Sequence, residues 1–173
     1  MLKKSSQNNK YEMNLYNNIL FLSRNRIFYT NFNLTDTFEN RIKLIFLHIS
    51  FLFIKNKDNN KNKTLNTFQQ KLFDLTFNNI ELNMREIGFG DVSINKNMKS
   101  LVKIFYSILF NCENYNKMSS INKKALFNKY LKLNNIAKNL DNRGIIDYFD
   151  KYHTFCFDLS NDSILKGDLD FNY

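Results

Sequence analysis

The sequence predicts an all-α protein, a single compact bundle of about six helices around a central apolar helix. Three observations point there. The chain of 173 residues has no proline and 4 glycines, whereas all-β sandwiches and barrels need many turn residues. Apolar residues recur at steps of three and four along most of its length, the spacing of helices with one buried face. Hydrophobic residues make up 43% and aromatics 16%, too much apolar surface for wholesale disorder and enough for a real core.

The elements follow in order. Residues 12–24 carry Leu15, Ile19, Leu20 and Leu22 and form a short first helix. A polar link with Tyr29, Phe32 and Leu34 leads to Asp36, with Glu39 three residues on, the spacing of a capping box that opens a second helix. That helix runs to about Lys55, and from Leu44 to Ile54 it is apolar except for His48 and Ser50. A helix apolar all round is a core helix, and this one is too short to cross a bilayer. The polar run KNKDNNKNKT at 55–64 reads as a connector.

The third helix, near 65–86, has one apolar row of Leu65, Phe68, Leu72 and Leu75 and another of Phe73, Phe77, Ile80, Met84 and Ile87. Asp74, Asn78, Glu81 and Arg85 line its opposite edge, with Glu81 and Arg85 placed for a helix ion pair. Gly88 ends the helix, and GFGDVS at 88–93 makes a tight corner. In that corner Gly88 and Gly90 supply backbone freedom, and Ser93 caps the next helix with Asp91 near its positive end. The fourth helix, about 94–113, has the stripe Met98, Leu101, Val102, Phe105, Ile108, Leu109 and Cys112, with Lys96, Lys99 and Lys103 off it. A fifth spans roughly 120–137 with Leu126, Tyr130, Leu133 and Ala137 inward. A sixth spans roughly 143–159 with Ile145, Phe149, Tyr152, Cys156 and Leu159 inward. This divides the chain into a flexible N-terminus at 1–10, a helical domain at 11–160 and a tail at 161–173.

The formal net charge is +9, from 20 Lys and 5 Arg against 16 acidic residues. Such a surplus invites an anionic partner, and a basic ribosome- or RNA-tethering adaptor is the alternative function it suggests. The composition also holds 30 Asn and 18 Phe but 2 Ala, the bias of AT-rich codons, which accounts for much of the lysine without selection for a polyanion. Arg, the better base reader, is scarce, and the helical faces are too apolar for a DNA-recognition helix, so DNA is not expected.

No catalytic constellation stands out. His48 and His153 share no metal-ligand spacing with Cys112 and Cys156. Both cysteines fall on apolar stripes, where thiols are structural. His48 reads first as a satisfied core histidine, and second as a polar group on a docking surface. The GFGD glycines follow a helix rather than a strand, lack a third glycine and carry an acid where phosphate would sit, so they are not a dinucleotide loop. No enzyme activity, cofactor or metal is expected.

The run LFDLTFNNIELNMREIGFGDVSINKNMKSLVKIFYSIL resembles the signature of the ubiquinol–cytochrome c chaperone family. Its marked positions here are Leu72, Phe73, Asp74, Arg85, Glu86, Gly88, Gly90, Asp91, Ser93, Lys96, Met98, Phe105 and Tyr106. Upstream, Phe28 with Tyr29 and Leu47 with His48 are similar too, so the likeness covers about residues 15–112. The family usually carries acids near Asn78 and Asn79, where this chain has amides. The resemblance implies an assembly chaperone for respiratory complex III that binds newly made cytochrome b apoprotein. It further implies a small assembly-factor partner and the ribosome exit region, and the lysines are expected to hold such a chaperone in peripheral contact with an anionic membrane. The setting it implies is the bacterial cytoplasm beside the inner membrane, or the matrix side in a eukaryote. His48, Asp74, Arg85, Gly88, Gly90, Asp91, Ser93, Lys96, Phe105 and Tyr106 are the partner-binding or motif residues it marks, and a groove beside the second to fourth helices is expected to hold the client.

Overall fold

The computed structural model describes residues 10–57, 62–133 and 143–173. Among them the chain forms helices α1 (Lys10–Ser23), α2 (Ile27–Thr30), α3 (Phe38–Lys55), α4 (Lys63–Ile87), α5 (Asp91–Cys112), α6 (Ser120–Tyr130), α7 (Arg143–Asp158) and α8 (Asn161–Lys166). A 3-10 turn lies at Tyr115–Lys117. The six longest helices are those the apolar spacing predicts; α2 and α8 are short additions to them.

Helix α3 is the axis of the bundle. It packs against α1, α5 and α7, and 12 of its 18 residues are buried. The all-round apolar run from Leu44 to Ile54 is therefore core and not a docking face. Its start differs from the expected capping box. The cap is Thr37, whose hydroxyl accepts from the Asn40 amide at 3.2 Å, worth about 1 kcal/mol. With Thr37 in that place the third helical residue is Asn40, so Glu39 cannot reach back to the cap amide. Glu39 instead holds Lys43 and Lys132, each at 2.6 Å, and Asp36 takes the guanidinium fork of Arg41 at 2.7 and 2.8 Å.

Asn40 also decides where α6 ends. Fully buried, it donates to the carbonyls of Thr35 and Lys132 and accepts from the Lys132 amide. These bonds hold residues 131–133 extended, with an isolated bridge between Leu34 and Leu133. The fifth predicted helix thus stops at Tyr130, and Ala137, expected inward on it, lies outside the described residues.

The corner between α4 and α5 is built by hydrogen bonds as well as by glycine. Gly88 adopts φ +97°, its amide donates to the Arg85 carbonyl, and the Phe89 amide donates to the Met84 carbonyl, the paired bonds of a Schellman motif. The chain leaves this motif straight into α5, which begins at Asp91 and not after Ser93. Ser93 is therefore inside the first turn and caps nothing. Gly90 has φ −74° and open space around its α-carbon, so any residue could stand there; only Gly88 uses the left-handed freedom.

The segment at 161–173, expected as a tail, lies against the domain. Gly167, at φ +74°, closes α8, and its carbonyl accepts from Asn14 and Asn18 of α1 at 3.1 and 2.9 Å. Leu169 and Phe171 are buried, and the Phe171 ring sits 5.1 to 5.4 Å from Tyr152, Phe155 and Tyr148 of α7.

Candidate functional site

The ten motif residues separate into two places. His48 and Phe105 are in the core, 0% and 1% exposed. The other eight lie along α4 and α5 and the corner joining them, all exposed.

His48 is the satisfied core histidine. Its Nδ1 lies 2.7 Å from the Leu44 carbonyl and its Nε2 2.8 Å from the Tyr148 hydroxyl. The carbonyl can only accept, so Nδ1 carries the proton and Nε2 accepts from Tyr148. Burial pushes its pKa down to about 4, which keeps the ring neutral. Its ring neighbours are Phe28, Tyr148, Phe149 and Tyr152, so it belongs to the contact between α3 and α7 and not to a surface. Phe105 packs edge-on to Phe46, Phe53, Phe73 and Phe77 and fixes α5 against α3 and α4. Cys112 and Cys156 are buried free thiols; burial pushes Cys112 up to about 12 and raises Cys156 as well, so neither offers a thiolate nucleophile.

At the corner Arg85 bridges the two helices, pairing with Glu81 at 2.8 Å and with Asp91. These carboxylates hold its guanidinium above the ordinary arginine pKa. The three side chains are well exposed, so they set the angle of the corner more than they stabilise it. Asp74 accepts from Gln70 on the outer edge of α4. Tyr106 is 55% exposed, with its ring 5.9 Å from Phe73. Ile87, expected in the buried row, is 60% exposed, because α4 ends at this residue and no helix continues over it.

Ile87 instead lines a cleft of about 220 Å³ where the C-terminal ends of α1 and α4 meet the start of α3. Leu20, Ile42, Ile45 and Ile80 form its apolar part, and Arg24, Arg41, Asn83 and Glu86 its polar rim. It is smaller than the roughly 300–1,000 Å³ of small-molecule sites, so it suits side chains of a polypeptide better than a cofactor. Beside it the corner exposes Phe89 at 39% and Val92 at 86%. Sequence reasoning missed Leu20, Arg24, Arg41 and Glu86 as lining residues, since only the packing of α1 on α3 and α4 brings them together. Among the described residues no group of three His, Cys, Asp or Glu could hold a metal. What the arrangement offers chemically is a recess with an apolar floor, mixed charge at its rim and exposed apolar side chains alongside.

The model of the family described as ubiquinol-cytochrome C chaperone matches residues 30–171. The chain belongs to the ubiquinol-cytochrome C chaperone family. Membership supports a role in the assembly of respiratory complex III. In three dimensions this family member is similar to a structure titled "Crystal structure of the Cbp3 homolog from Brucella abortus", with a TM-score of 0.80 over 98% of this chain and 93% of that one at 22% identity; the likeness shows a shared fold. A comparison with curated proteins returns no match. Among the described residues no helix of this chaperone-family chain is long and apolar enough to cross a membrane.

Proposed function

We propose that this protein is a non-enzymatic assembly chaperone that binds newly made cytochrome b and holds one of its apolar segments during complex III biogenesis. Family membership supports the class. The observation that carries the client-binding reading is the cleft between α1, α3 and α4, with Ile87 in its wall and Phe89 and Val92 exposed beside it. An apolar helix laid into such a groove buries side chains at three- and four-residue spacing and leaves its polar groups to the rim. Arg24, Asn83 and Glu86 supply rim partners of either sign. The corner motif then presents the groove: Gly88 and Arg85 set the angle at which Ile87 and Phe89 stand.

Deleting the gene in the source organism and recording the cytochrome b haem spectrum of its membranes tests this. The expected result is loss of the cytochrome b signal and of ubiquinol–cytochrome c reductase activity, both restored by the intact chain. A normal spectrum and normal complex III in the deletion strain contradict it.

A further inference from the structure

The outer edge of α5 carries a pattern of which only its first member, Val92, adjoins the cleft. Val92, Lys96, Lys99, Lys103, Tyr106 and Phe110 follow one another at helical steps of four and three, so they form one row along the helix. Val92 is 86% exposed, Tyr106 55% and Phe110 73%, and all three lysines are exposed. At 1.5 Å per residue the row is about 27 Å long.

The charge on this row is unopposed. Elsewhere Lys43, Lys57, Lys71, Lys123, Lys132, Lys151 and Lys166 each pair with a carboxylate. Lys96, Lys99 and Lys103 make no ion pair among the described residues, and α5 has no acidic residue after Asp91. Like charges at this spacing repel one another, and the apolar groups at both ends of the row stay in water. Both costs are relieved by a partner that is anionic at its surface and apolar just beneath. A lipid interface has that layering: lysine stems lie along apolar surface while their ammonium groups stay in the headgroup layer, and Val92, Tyr106 and Phe110 enter the acyl boundary. RNA would match the charge and stack bases on Tyr106 and Phe110, but it would leave Val92 uncovered, and the row has no arginine.

We propose that this edge of α5 lies flat on an anionic lipid surface. The contact shares only Val92 with the client-binding reading and uses none of the residues that line the cleft, and it brings the corner at Gly88–Gly90 to the bilayer.

Flotation of the full chain with phosphatidylcholine–phosphatidylglycerol vesicles, and with phosphatidylcholine alone, tests it. The chain binds the anionic vesicles, and salt weakens the binding. The triple variant K96Q/K99Q/K103Q binds about a hundredfold more weakly, at roughly fivefold per lysine. The control K117Q/K124Q/K129Q removes the same charge elsewhere and stays close to the parent. The variant V92S/F110S, unchanged in charge, loses about tenfold through its apolar contacts alone. Equal binding to neutral vesicles, equal loss in both triple variants, or no loss in V92S/F110S overturns the proposal. So does an oligouridylate that binds through the same lysines while the vesicles do not bind at all.

Discussion

Two regions of this molecule use the same residue types for opposite ends. Around α3 and α7, aromatic side chains form a closed cluster in which every ring of His48, Phe51, Phe149 and Tyr152 meets others. At the corner of α4 and α5, Ile87, Phe89 and Val92 stand in water, as does Tyr106 farther along α5. Both regions carry residues of the family motif. The comparison teaches that a motif residue must be sorted by its burial before it is given a role: His48 and Phe105 hold the bundle together, while Arg85, Asp91, Lys96 and Tyr106 shape or line a surface.

The sharpest way to separate the regions is to cut into the closed one. Phe149 is fully buried against His48, Phe51, Phe127 and Tyr148. Phe149→Ala should cost about 3–5 kcal/mol, read as a lower denaturant midpoint. An exposed-face change such as Ile87→Ser should leave that midpoint nearly unmoved.

The closed region should also respond to pH. The folded pKa of His48 is about 4 against an ordinary value of 6.5, so the unfolded chain takes up the proton first as pH falls. Stability is full above pH 6.5 and declines toward pH 4 by about 3 kcal/mol. His153, half-buried and also lowered, adds to this slope, so His153→Gln isolates the His48 contribution in denaturation curves. Asp36, Glu39 and Asp147, whose partners hold them below the ordinary carboxylate range, act only at more acid pH. Loss of the slope from pH 6.5 down in His48→Gln, and its survival in His153→Gln, is the expected pattern.

A smaller contrast lies between two left-handed glycines. A β-carbon at Gly167 would collide with the Tyr11 carbonyl oxygen and come within 2.9 Å of the Leu15 amide nitrogen, whereas at Gly88 it meets nothing within 4 Å. Gly167→Ala should therefore cost about 2–3 kcal/mol and loosen α8 from α1, and Gly88→Ala about 1 kcal/mol from backbone conformation alone. Thermal melts and amide exchange over residues 161–173 distinguish them.

Most of the architecture was legible because α3, α4, α5 and α7 write their buried faces in spacing. The Leu44–Ile54 run announced a central helix, and Gly88 announced the corner. Caps were less legible, since Asp36 with Glu39 and Ser93 each satisfy one local rule that another local contact overrides: Arg41 takes Asp36, and the Schellman turn starts α5 early. The end of α6 depended on Asn40, 92 residues away from Lys132, which no local pattern reveals. The cleft was the least legible, because its walls come from three helices whose meeting is a matter of packing. Ile87 fits a buried row by spacing and is exposed only because the helix stops there.

The most direct test of the division between a structural core and a client-binding corner is site-specific photocrosslinking during synthesis of cytochrome b. A photoreactive residue replaces Ile87, 60% exposed in the cleft wall, or Ile121, 79% exposed on α6. The account predicts a crosslink to nascent cytochrome b from position 87 and none from position 121. Equal crosslinking from both positions, or from position 121 alone, would contradict it.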